Sequence, residues 1–219
     1  MKRKKILIQL TIMAAVMGMT LTTNPVITKA EVKNLSIQES NAKLTPYDYN
    51  ELALKFLNYC DTSSFKKWND PVIVLTEQES TIMKNYIEKN IIKDETDDYV
   101  KAKLIYNWIC NNIKYGSNRT QSIGFTPYEV FTKKVAVCGG YSNLYKAMLN
   151  LADIPCVTVY GNTTYGAHAW NIVYANNKWF HSDSTWGVSS RSYFDKDAKN
   201  ISTDHTIINI YGASVLDSN

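Results

Sequence analysis

Apolar positions recur along this chain first with a helical period and then with a strand period. Over residues 47–59, Leu52, Leu54, Phe56 and Leu57 supply the apolar face of a helix, and Asp61-Thr62-Ser63-Ser64 breaks it. Thr76 followed by Glu77, Gln78 and Glu79 predicts a capped helix over about 77–92, because acids in a first turn suit the positive end of the helix dipole. Ile82, Tyr86, Ile87 and Ile91 are its expected buried stripe. Thr96-Asp97-Asp98 starts a further helix, in which Val100, Leu104, Ile105, Trp108, Ile109 and Ile113 recur at helical spacing. A Gly/Ser/Asn-rich loop over 116–126 follows, and Pro127 opens a short helical turn through Phe131. Cys138 opens another helix, with Tyr141, Leu144, Met148 and Leu151 on one face and Ala152-Asp153-Ile154-Pro155 closing it. The period then becomes two. Residues 156–160, 168–174 and 178–183 are aromatic and β-branched and are separated by turn residues. Helices followed by an antiparallel meander make an α+β fold.

The N-terminus stands apart from this pattern. Lys2-Arg3-Lys4-Lys5 precedes an uncharged, largely apolar run from Ile6 to Leu21, and Thr28-Lys29-Ala30 has small residues where a signal peptidase reads. The run is shorter than a membrane-spanning helix requires, and Gln9 interrupts it. Residues 1–30 are therefore expected to be a cleaved signal peptide, 31–45 an exposed polar arm, and 46–219 the working domain. This arrangement implies a secreted, extracellular protein with no stable membrane anchor. Removing Lys2, Arg3, Lys4, Lys5 and Lys29 from the 24 cationic residues leaves 19 against 20 acidic ones, so the formal charge falls from +4 to −1. No basic block remains that would argue for a nucleic-acid partner.

Four cysteines, Cys60, Cys110, Cys138 and Cys156, are too few and too scattered for a disulfide scaffold. None has zinc-ligand spacing, so neither metal nor cofactor is expected. If Cys138 stays free, at most one bridge forms. Cys60–Cys110 is the pair that would form it, and the plainer reading is that both are buried apolar thiols.

Cys138 begins its helix at Val137-Cys138-Gly139-Gly140-Tyr141, where unpaired N–H groups and the helix dipole favour a thiolate. Gly139 and Gly140 lack Cβ atoms and would let a substrate backbone approach, and the Cys138 N–H is a candidate oxyanion donor. His168 and Asp183 follow in order, the first in Gly166-Ala167-His168-Ala169-Trp170 and the second in Asp183-Ser184-Thr185-Trp186-Gly187. If Asn176-Asn177 is a two-residue hairpin turn, His168 and Asp183 become diagonal neighbours on one sheet face, within side-chain reach. A three-residue loop would place them on opposite faces. His181 is the rival base. Gly166 and Ala167 leave room beside His168, and Trp170 on the same face can shield the pair from water, which favours His168. His205 lies in a polar tail and is read as structural or solvated. Asn171 points away from His168 by parity and is read as structural.

Taken together, these residues resemble the transglutaminase-like superfamily of papain-like thiol enzymes over about residues 98–188. The matching pieces are Ala102 to Ile109, Ile113-Lys114-Tyr115, Val137 to Ser142, Ile154-Pro155, Gly166 to Asn171 and Asp183 to Gly187. The tail from Tyr193 to Thr206 resembles the segment that follows this core in secreted bacterial members. The resemblance implies a nucleophile helix packed on an antiparallel sheet, preceded by N-terminal helices. It further implies Cys138 as nucleophile, His168 as base and Asp183 as the group orienting the imidazole. Gln121, Tyr115 and Tyr128 are candidates for the second oxyanion contact, and Gly139, Gly140 and Trp170 for substrate binding. Crosslinking members usually have Gln before and Trp after the nucleophile, where this chain has Val137 and Gly139. The expected activity is therefore peptidase-like hydrolysis of a protein or cell-wall peptide through a thioester. Glutamine transamidation, or peptide binding without chemistry, are the alternatives.

Overall fold

The computed structural model describes residues 44–67, 73–116 and 123–210. The expected signal peptide, nearly all of the expected arm and Gln121 lie outside them.

Local chemistry accounts for the helix starts. Thr45 caps α1 (Pro46–Asn58) in a reciprocal capping box with Asp48, and Thr76 caps α2 (Glu77–Ile87) in the same way with Glu79. Asp97 caps α3 (Asp98–Asn112) through the Val100 N–H. Thr126 and Glu129 box the start of α4 (Pro127–Lys133), whose left-handed C-cap is Lys134. Between α3 and α5 (Cys138–Leu151), Lys114–Tyr115 (β1) pairs in parallel with Val135–Ala136 (β2).

Two predicted stripes are corrected. Ile82 and Val100 are 41% and 38% exposed, whereas Met83, Ala102 and Tyr106 are buried. Helix α2 buries Ser80, Met83 and Ile87 at ordinary helical spacing, which turns Ile82 outward, and the π turn that follows over Glu88–Ile92 buries both Ile91 and Ile92.

The sheet orders its strands β5-β4-β3-β6, all antiparallel: β3 (Cys156–Thr163), β4 (Gly166–Ala175), β5 (Lys178–Ser182) and β6 (His205–Ile210). The β4–β5 register runs from Ala175↔Lys178 to Asn171↔Ser182 across a two-residue turn. Asn176 and Asn177 both have positive φ there, at 52° and 58°, as a type I′ hairpin requires. The fourth strand, β6, was not anticipated; it pairs on the free edge of β3.

Two apolar clusters flank the sheet. One joins α2–α5 to Cys156, Val173, Ala175 and Phe180. The other joins Ala53, Phe56 and Leu57 of α1 to Val157, Val159, Trp170, Ile172, Trp179, Ile207 and Ile210. Helix α5 (Cys138–Leu151) is buried continuously from Gly140 to Leu151. Each large side chain buried there stabilises the fold by roughly 1.5–3 kcal/mol. The structure is thus α+β, with the Cys138 helix packed on an antiparallel sheet.

The Cys60–Cys110 bridge is absent, and all four cysteines are free thiols. Cys60 belongs to the α1 cluster and Cys110 to the other one. Each thiol donates instead to a carbonyl, Cys60 to Phe56 O and Cys110 to Ser184 O, both at 3.4 Å. No described helix is long and apolar enough to cross a membrane.

Candidate active site

Cys138 is the first residue of α5, and its N-cap Val137 has no side chain able to accept the first-turn N–H groups. Those dipoles are left to act on the sulfur. Helix α5 brings the thiol to the start of β4, where it meets the His168 imidazole and the backbone N–H of Ala169 as well as that of Gly139.

Asp183 follows β5 directly. Its carboxylate accepts four hydrogen bonds in a site with no exposure. Oδ1 takes the N–H groups of Thr185 and Trp186 at 2.8 and 3.1 Å. Oδ2 faces His168 Nε2 at 2.8 Å and His205 Nε2 at 3.1 Å. The two backbone N–H bonds tie the acid to the turn after β5, and Tyr106 of α3 braces the same residue by donating to its carbonyl at 3.3 Å. With Nε2 committed to Asp183, Nδ1 of His168 is the nitrogen left for Cys138.

The electrostatics follow from competing effects. Burial pushes the Cys138 thiol up, but the hydrogen bond and charge of His168 and the two backbone N–H groups outweigh it, leaving the thiol below its ordinary value. Burial likewise disfavours the His168 imidazolium. Asp183 and Cys138 more than compensate and raise it to about 9. Asp183 is fully buried, yet hydrogen bonds from His168 and His205 keep it below the usual carboxylate range. The group is therefore built to hold a thiolate–imidazolium pair over a buried carboxylate.

The imidazole of His168 lies between two indoles. Trp170 stacks on it at 6.1 Å and an 18° interplanar angle, and Trp186 covers it at 5.8 Å. Trp170 is 1% exposed and belongs to the layer under the site, so it is not placed to touch a substrate. The two glycines also differ. Among the described residues, a Cβ on Gly139 would meet Phe125 alone, at 3.7 Å, an ordinary contact. A Cβ on Gly140 would lie 2.8 Å from Ala136 Cβ and from the Gly124 carbonyl oxygen. Gly140 thus permits α5 to pack on its neighbours and does not face a substrate. Of the oxyanion candidates, Tyr115 is 59% exposed at the end of β1 and close enough to Cys138 to feel its charge. Tyr128 packs on Phe131 at 6.4 Å at the edge of the main cluster.

His181, the rival imidazole, is fully buried, pairs across the sheet with Ile172, and accepts a hydrogen bond from Trp170 Nε1 at 3.2 Å. Burial, followed by the charge of His205, depresses it to about 3, so it is neutral at ordinary pH. Asn171 donates to Ser142 O at 3.1 Å and so ties β4 to α5.

From its polar tail segment His205 reads as structural or solvated. It is 1% exposed, not solvated, and it touches Asp183. The pairing of β6 with β3, from Val159↔Ile210 to Thr163↔His205, brings His205 to the site, and no local pattern announces a contact between residues so far apart in sequence. Ligand atoms of His168, Asp183 and His205 lie within 4.8 Å of one another. Asp183 Oδ2 sits 2.8 and 3.1 Å from the two Nε2 atoms, the separations of direct N–H···O bonds, so protons link these donors.

Residues 85–184 match the profile of the Transglutaminase-like superfamily. Kyphoscoliosis peptidase of Mus musculus is 30% identical over 118 residues, which cover 47% of this chain but 18% of that protein. The Homo sapiens protein is 30% identical over 113 residues, covering 45% of this chain and 17% of its own length. The chain therefore matches less than a fifth of the curated relatives. Among solved structures, a candidate cysteine protease of Cytophaga hutchinsonii superposes with a TM-score of 0.47 at 21% identity, covering 68% of this chain and 51% of its own. The periplasmic domain of TgpA from Pseudomonas aeruginosa gives 0.45 at 13% identity, covering 60% and 50%.

Proposed function

Because residues 85–184 are a transglutaminase-like core, we propose that the chain is a secreted thiol enzyme that hydrolyses amide bonds through Cys138, His168 and Asp183. The observation that carries this reading is the buried contact of His168 Nε2 with Asp183 at 2.8 Å while the same imidazole lowers the Cys138 thiol. The substrate class is a protein or cell-wall peptide.

In the first half-reaction the Cys138 thiolate attacks the carbonyl carbon and forms a C–S bond. The C–N bond then breaks, and His168 gives its proton to the departing amine. In the second, His168 takes a proton from water, hydroxide adds to the thioester carbon, and the C–S bond breaks to release the acid and the thiolate. Asp183 stabilises the imidazolium in both halves. The Cys138 N–H, at the open helix start, faces the developing oxyanion. Val137 and Gly139, in place of the Gln and Trp of crosslinking relatives, favour water as the acceptor.

Product analysis by mass spectrometry tests the reading, using purified peptidoglycan and generic proteins with and without an added amine. Native enzyme should release new carboxylate termini. Cys138→Ala should release none while keeping its far-UV spectrum and melting transition. Full activity in Cys138→Ala would exclude the mechanism.

A further inference from the structure

The proposed reaction leaves a third buried imidazole without a role. His205 presents Nε2 to Asp183 Oδ2 at 3.1 Å and Nδ1 to Asp204 Oδ1. Asp204 Oδ2 in turn accepts the Tyr193 hydroxyl at 2.6 Å. Asp183 is held ionised, below the usual carboxylate range despite its burial, with Oδ1 accepting two backbone N–H groups and Oδ2 facing His168, so it presents an acceptor to His205. Both neighbours of His205 are then acceptors, and both of its ring nitrogens must donate. A ring that donates twice is an imidazolium.

Resting on the Cys138–His168–Asp183 reading, we propose that His205 is a positioning residue. It is held as an imidazolium between Asp204 and Asp183, fixing the carboxylate and limiting how firmly His168 keeps its proton. Burial works against that charge, and the two carboxylates together with three aromatic rings within cation–π range oppose the penalty. Trp186 lies 4.5 Å from the ring, Trp170 4.9 Å and Tyr193 5.7 Å. Helix α1 contributes only the uncharged Asn50, which donates to the His205 carbonyl at 2.8 Å. The titratable groups facing His205 are Asp183, Asp204, Tyr193, His168 and the neutral His181.

Charge therefore alternates from Asp204 through His205, Asp183 and His168 to Cys138. His205 acts twice on His168: it keeps Asp183 ionised, and it repels the second imidazolium at a ring separation of 5.5 Å. Without that repulsion, His168 would bind its proton too tightly to release it to a leaving amine. His205 lies beyond the family match, which ends at residue 184. The C-terminal strand thus supplies a component of the site that the matched core lacks.

The chain has three histidines, so nitrogen-15 NMR of selectively labelled imidazoles reads each protonation state directly. In the native protein, both ring nitrogens of His205 should carry protons while it bridges the two carboxylates. His205→Gln keeps an N–H donor for Asp183 and removes the charge. Asp204→Asn leaves His205 in place and removes the negative charge that holds its second proton, and the amide can turn its NH2 toward Nδ1. Both variants should raise the pH at which His168 deprotonates by roughly one to two units, the size of a charge–charge repulsion at this separation. A neutral His205 in the native protein, or an unmoved His168 in Asp204→Asn, would overturn the proposal. If His205→Gln does not fold, Asp204→Asn decides it. These readouts need no substrate. Failure of the triad reading would appear separately, as native Cys138 alkylating no faster than an ordinary thiol.

Discussion

In the proposed mechanism burial works against Cys138 as a nucleophile, and its neighbours must overcome that penalty. His168 does so only while it is charged, and it stays charged only while Asp183 is ionised beneath it. The reactive window therefore opens at the lowered Cys138 value and closes near pH 9, where His168 loses its proton. A profile of kcat/KM against pH should show an alkaline limb near 9. Asp183→Asn removes the charge and keeps the shape; it should lower kcat/KM on the order of 10³–10⁴-fold and move that limb toward acid. An unmoved limb would show that Asp183 does not act through His168. At this scale much of the site is legible in sequence, because a helix-starting cysteine and a period-two strand parity are local facts. His205, Asp204 and the cover by Trp186 are not, since they depend on where a distant edge strand docks. The roles expected of Gly140 and Trp170 also changed. Sequence locates a small or aromatic residue near a nucleophile but does not say whether it faces solvent or core.

At the scale of elements, the two-residue Asn176-Asn177 turn sets the parity of β4 and β5, and β6 depends on a close approach at Gly161. The β3–β6 register shifts between Tyr160 and Gly161. A Cβ at Gly161 would run into the Thr206 carbonyl oxygen and lie 2.8 Å from Trp170 Cη2. Gly161→Ala should push β6, and His205 with it, away from the site. The expected result is a stability loss of about 1–3 kcal/mol in urea unfolding, together with the same alkaline displacement of His168 as in His205→Gln. Gly187 has a similar place in the turn after Asp183, where a Cβ would collide with the Tyr106 hydroxyl and lie 2.7 Å from Cys110 Sγ. The capping boxes of α1, α2 and α4 and the type I′ turn can be read from short motifs. The π turn after α2 and the bulge at Gly161 cannot, because tertiary packing selects them.

Across the whole molecule, the site is assembled from three parts. The family-matched segment supplies the Cys138 helix and the central strands, α1 covers the other sheet face, and β6 closes its edge. A fragment of residues 85–184 lacks Phe56, Leu57, Ile207 and Ile210, so it exposes the Val157–Trp170–Ile172 face and should show no cooperative melting transition. Stability should also depend on pH in a defined direction. His181 lies below its unfolded value, so its contribution is present above about pH 6.5 and is lost as pH falls toward 3. His168 lies above its unfolded value, so its contribution is full below about 6.5 and is lost as pH rises through about 9. Thermal melts should therefore weaken from pH 7 to pH 4.5, and less so in His181→Gln. The most direct test of the central claim is the pH dependence of iodoacetamide labelling, resolved by cysteine with mass spectrometry. Burial raises Cys60 to about 11 and Cys110 to about 12, so these thiols serve as internal controls. Cys138 should label at pH 6 at a rate that stays nearly level to pH 8, while the controls label only after unfolding. A Cys138 rate that climbs about tenfold per pH unit toward 9, as for an unassisted thiol, would contradict the account.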